Sequence, residues 1–151
     1  MLPDMPKDLL IYENDHFRIE QCADCPIPGY LIVSPKVEVR SLSEMKSETL
    51  AELGNTLALA SKALEEVLQP DQVYCAKFGE LNNLVHFHVF PKTKWIAVEY
   101  LKENPTNTDV ISGPQLLDWA RNKFKKDSNH TFPGPSTEDT IVKLRKSIQI
   151  R

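Results

Sequence analysis

The sequence has little cysteine, and its Cys22, Cys25 and Cys75 make an odd set of three with no repeating spacing. That excludes a disulfide framework and favours a reducing compartment, so the cytoplasm is the expected location. Long apolar runs are missing as well. No stretch approaches the ~20 apolar residues of a membrane-crossing helix. The opening MLPDMPKDLLIYENDHF carries acidic residues and no apolar tract, so neither a signal peptide nor an anchor is expected there. An excess of positive charge is absent: 18 Lys and Arg stand against 21 Asp and Glu, for a net charge of −3. The basic residues are scattered, so the footprint of nucleic-acid binding is missing. Repeats and low-complexity tracts are also lacking. Histidine is scarce, at four residues.

What is present fits one domain spanning residues 1–151. The chain is long enough to bury a core, and its 41% hydrophobic and 26% charged residues are ordinary for a globular protein. Residues 9–20, LLIYENDHFRIE, predict a strand, a tight turn at Asn14-Asp15 and a second strand. Tyr30–Val33, between Pro-Gly and Ser-Pro, predicts a buried strand. Leu50, Leu53, Leu57, Ala60, Leu64 and Val67 step by three and four, predicting a helix over about residues 47–68 that ends before Pro70. VYCAKFG (73–79) and LVHFHVF (84–90) predict an antiparallel hairpin with a short connection. Residues 103–114 read as loop, QLLDWARNKFKK as an amphipathic helix, and SNHTFPGPS as a Pro/Gly/Ser loop. Ser136 with Asp139 is close to a capping box ahead of a last short helix at TIVKLRKSI. The expected architecture is α+β, with a core over about 10–95 and a helical extension over about 96–151.

Two of the four histidines stand together in LVHFHVFPK (84–92). In a strand, side chains alternate faces, so His86 and His88 point one way and Val85, Phe87 and Val89 the other. Same-face neighbours sit ~6–7 Å apart, a spacing that suits two imidazoles holding one anion or one metal. Three readings compete. Two polar caps at a sheet surface would be the plainest. A zinc site pairing these histidines with Cys22 and Cys25 has ligands of acceptable type. Nucleophilic catalysis is the third: a neutral imidazole attacks phosphorus while its neighbour stabilises the developing charge. His16, His130 and the pair Lys92 and Lys94 read as surface, and Cys75 as a small core residue.

The third reading draws support from a resemblance. HFHVFPK, after PGYLIVSPK and the long helix, resembles the histidine-triad (HIT) nucleotide hydrolases and transferases over roughly residues 10–95. Their signature alternates three histidines with apolar residues and often ends in apolar-Pro-basic. Setting Val89-Phe90-Pro91-Lys92 on that ending makes His88 the third histidine and His86 the middle one, the nucleophile's position. Leu84 then stands where the first histidine, which assists the leaving group, is expected. Gly79-Glu80-Leu81 replaces the Gly-Gln-Ser/Thr that relatives often carry before the triad.

The resemblance implies a HIT-like antiparallel sheet with one long helix, a homodimer joining two sheets, and a nucleotide as the ligand. It implies His86 as catalytic residue, with His88, Gly79 and Asn82 binding phosphate. Phe17, Ile19 and Ile32 are candidates to pack the base, and Asp24 to reach the ribose hydroxyls. The expected reaction is hydrolysis or nucleotidyl transfer at the α-phosphate of a dinucleoside polyphosphate or nucleoside phosphoramidate, falling off at acid pH as the imidazole protonates. No metal is expected among the protein's own groups, although Mg²⁺ can accompany a polyphosphate substrate. A nucleotide-binding module with little turnover is the alternative that Leu84 and Glu80 favour.

Overall fold

A computed structural model describes residues 7–127 and 130–149. The first six residues, part of the opening expected to lack a signal peptide, lie outside these. So do Ser128 and Asn129 at the head of the expected Pro/Gly/Ser loop. Five strands form one antiparallel sheet in the order β1-β2-β3-β5-β4. They are β1 (Leu10–Glu13), β2 (Phe17–Gln21), β3 (Leu31–Pro35), β4 (Gln72–Ala76) and β5 (Phe87–Lys92). The fold is α+β, as the sequence predicts.

The β1–β2 turn is held by Asn14, whose side-chain oxygen accepts from the backbone N–H of His16 and of Phe17, each at 2.8 Å. The long helix α1 (Ser47–Leu68) has the predicted bounds and buries Thr56, Ala60, Ala63 and Leu64. It ends at Gln69 in the left-handed conformation, φ 50°, one residue before Pro70. Residues 94–103, at the start of the expected helical extension, form α2 (Lys94–Glu103). Two further helices follow: α3 (Gly113–Lys123) and α4 (Thr137–Gln149). Ser136 caps α4 by accepting from the Asp139 N–H at 3.0 Å. Among the described residues, no helix is long and apolar enough to cross a membrane.

The two faces of the sheet are covered differently, and this places the histidines. Phe17, Ile19, Leu31, Val33, Phe87 and Val89 point to one face and pack with α1 and α4. Tyr30, Ile32 and Phe90 point to the other, where α2 and α3 bring Ile96, Tyr100, Leu116, Leu117 and Ala120. Trp119 and Phe124 join this second cluster with ring centroids 5.6 Å apart. The extension therefore divides, two helices on one side and α4 returning to the other. Cys75, expected in the core, is exposed because β4 is an edge strand. His16, expected in solvent, is half-buried, and its Nδ1 lies 3.0 Å from Thr49 Oγ1 on α1.

Candidate active site

His88 lies on β5, opposite Ile32 of β3. The strand begins only at Phe87, so His86 sits in the approach to it, at the end of a ten-residue connection (77–86) from β4. The predicted short hairpin is thus a longer loop, and the two rings still meet, with centroids 5.0 Å apart.

Each imidazole has its own backing. Nδ1 of His86 is 2.8 Å from the Leu84 carbonyl oxygen. A carbonyl can only accept, so Nδ1 carries the proton, and in the neutral ring Nε2 carries the free lone pair. Nδ1 of His88 is 2.7 Å from the Tyr30 hydroxyl, both groups being buried. Burial pushes the Tyr30 phenol upward, so it stays protonated, and the bond runs from its O–H to Nδ1 or from Nδ1–H to its oxygen according to the His88 tautomer. With Tyr30 as the donor, the proton of neutral His88 is on Nε2. Burial, the Arg121 charge and His86, in that order, push His88 down to about 4, so it is neutral near pH 7. With Tyr30 as the donor, the neutral forms of the two rings are opposite tautomers set side by side, one offering a lone pair at Nε2 and the other an N–H.

The remaining predicted residues divide. Gly79 has φ +104°, a conformation glycine adopts without strain, and is half-buried in the connection. Asn82 makes the turn: its side-chain oxygen accepts from the Leu84 N–H at 3.0 Å. Ile32 is half-buried on the histidine face. Phe17 and Ile19 are 0% exposed in the core on the opposite face, which corrects their expected place beside a base. Alternation along β2 puts Arg18 and Glu20, rather than Phe17 and Ile19, on the side of His88. The Asp24 side chain is 91% exposed and reaches toward Lys126, 3.9 Å away, rather than toward the rings.

Sequence reasoning missed Tyr30, Phe78 and Arg121. Phe78, half-exposed in the connection, lies over His88 with centroids 5.6 Å apart. Arg121 comes from α3, whose Ala120 carbonyl receives the Cys25 thiol at 3.9 Å. The buried Cys22 and Cys25 thiols are pushed up by desolvation, Cys25 to about 12, so both stay protonated. Among the described residues, no three His, Cys, Asp or Glu side chains group to hold a metal ion. Two clefts, one between α2 and α3 and one beside Pro28 and Trp95, are lined by neither histidine.

The chain matches the HIT domain family over residues 5–95. It belongs to the HIT family. A Hit-like protein involved in cell-cycle regulation from Bartonella henselae has the same fold at 20% identity. It has a TM-score of 0.60, covering 95% of this chain and 88% of that one. A Zn-bound histidine triad family protein from Mycobacterium smegmatis is 22% identical. It has a TM-score of 0.61, over 97% and 87% of the two chains. A diadenosine triphosphate hydrolase from Plasmodium falciparum, solved with cyclomarin A, is 11% identical with a TM-score of 0.55, over 80% and 77%. No curated protein matches the chain. The Leu84 carbonyl orients the His86 ring through its bond with Nδ1.

Proposed function

We propose that this HIT protein is a hydrolase or nucleotidyl transferase that acts at the α-phosphate of a nucleotide through a covalent nucleotidyl-His86. The observation that supports it most is the His86 Nδ1–H bond to the Leu84 carbonyl, which leaves the Nε2 lone pair free for attack. Nε2 forms a bond to the α-phosphorus as the phosphorus–leaving-group bond breaks, and the leaving group departs with that electron pair. His88 Nε2–H donates to a non-bridging oxygen, and the buried Tyr30 hydroxyl behind it fixes the proton on that side. Water then cleaves the phosphorus–nitrogen bond, a proton is released, and His86 returns to its starting tautomer. Mg²⁺ would accompany a polyphosphate substrate and not the protein. The free edge of β4 is where a second copy would join the two sheets of a homodimer.

A second reading, nucleotide binding with little turnover, is favoured by Leu84 in the place of an imidazole and by Phe78 lying over His88. Rapid-quench trapping with a radiolabelled dinucleoside polyphosphate separates the two. An acid-labile label on the wild type, absent from His86→Ala, supports the enzyme. Tight nucleotide binding with no label in either protein supports the binding module.

A further inference from the structure

Glu20 is only 8% exposed, and its Oε2 is buried with no hydrogen-bond partner among the described residues. A buried carboxylate oxygen without a donor costs free energy, and such groups are rare enough in folded proteins to require a reason. Its neighbour Arg18 turns instead to Glu13, with Nε 3.3 Å from Oε2. Burial pushes the Glu20 carboxyl up, with the Arg18 charge opposing.

The register gives Glu20 a direction. Glu20 pairs with Ile32, and Ile32 pairs with His88, so the three form one row across β2, β3 and β5 on the same face. Adjacent strands lie about 5 Å apart, which puts the two ends of the row about 10 Å from each other. An acceptor stands at one end, a half-buried apolar side chain in the middle, and a phosphate-directed N–H at the other. A nucleoside 5′-phosphate has that length and that order of chemistry: donors, an apolar body and an anion.

We propose that Glu20 accepts hydrogen bonds from the nucleoside of the bound nucleotide and so sets which nucleoside the site takes. This rests on the nucleotide reading of His86 and His88. The donors come either from the base edge, as the ring N–H and amino group of guanine, or from the sugar hydroxyls. Both present N–H or O–H groups to a carboxylate, and a substrate analogue lacking them leaves Oε2 as it stands now.

The test is calorimetric titration of the full chain with GMP, AMP, 2′,3′-dideoxy-GMP and inorganic phosphate, wild type beside Glu20→Gln. The expected result is a loss of about tenfold or more in nucleoside monophosphate affinity in Glu20→Gln, with phosphate affinity unchanged. On the wild type alone, a difference between GMP and AMP assigns the contact to the base. A loss with the dideoxy analogue assigns it to the sugar. Equal affinities for all three nucleotides, or equal affinities of wild type and Glu20→Gln, overturn the role of Glu20 and leave the nucleotide site standing. Wild type that binds phosphate but no nucleotide overturns both.

Discussion

The Tyr30 hydroxyl lies 2.7 Å from His88 Nδ1 across 58 positions of sequence, from the residue just before β3 to β5. With the hydroxyl as donor, this bond makes His88 a donor through Nε2. Tyr30→Phe should leave the buried Nδ1 unpartnered and free the ring to take either tautomer. The expected cost is about 1–3 kcal/mol of stability. Turnover of a dinucleoside polyphosphate should fall about tenfold, because only one tautomer can stabilise the phosphoryl oxygen. Urea denaturation and steady-state kinetics on the variant check both.

The same burial makes stability depend on pH. His88 has its folded value lowered from 6.5 to about 4. Between these values the unfolded chain binds the proton and the folded chain does not, so stability rises with pH across the window. Falling pH from about 6.5 to 4 should therefore remove up to about 3 kcal/mol, with no further loss from this group below. Denaturation midpoints for wild type and His88→Gln over that range measure it, and the variant's curve should be flatter.

Leu84 can be tested by restoration. Its side chain is half-buried and its carbonyl already orients His86. Leu84→His keeps that backbone contact and adds an acid for the leaving group, so turnover should rise about tenfold or more. Steady-state rates with a phosphoramidate substrate, whose amine leaves only when protonated, should show the largest gain. An unchanged rate would place the limit elsewhere in the cycle.

Gly29 precedes Tyr30 and has φ +84°. A Cβ there would clash with Leu68 Cδ1 and meet Leu64 Cδ2 at 3.0 Å, both on the last turns of α1. Gly29→Ala should cost about 2–5 kcal/mol through left-handed strain and overpacking together. Thermal unfolding of the variant tests it, and a loss below 1 kcal/mol would mean that α1 yields easily.

Local chemistry wrote the legible parts of the fold into the sequence. Leu53, Leu57, Ala60 and Leu64 announced α1 by period, Asn14 the first turn, and Ser136 the start of α4. The face shared by His86 and His88 followed from alternation. The helix at 94–103 escaped because KWIAVEYLKE follows directly on Pro91-Lys92-Thr93 and carries no side-chain cap. Phe17 and Ile19, candidates by resemblance to pack a base, lie in the core on the opposite face, because a likeness of sequence does not say which layer an apolar strand residue meets. Tyr30, Phe78, Arg121 and Glu20 could not be read from the sequence. Their significance comes from partners, or the lack of one, on other strands and helices.

The account depends most on two neutral imidazoles of opposite tautomer. Nitrogen-15 correlation spectra of the side chains near pH 7 observe this directly. The predicted pattern is a proton on Nδ1 and a bare Nε2 for His86, with the reverse for His88. A charged His88, or a His86 protonated at Nε2, would contradict it, because the ring placed to attack would then have no lone pair to offer.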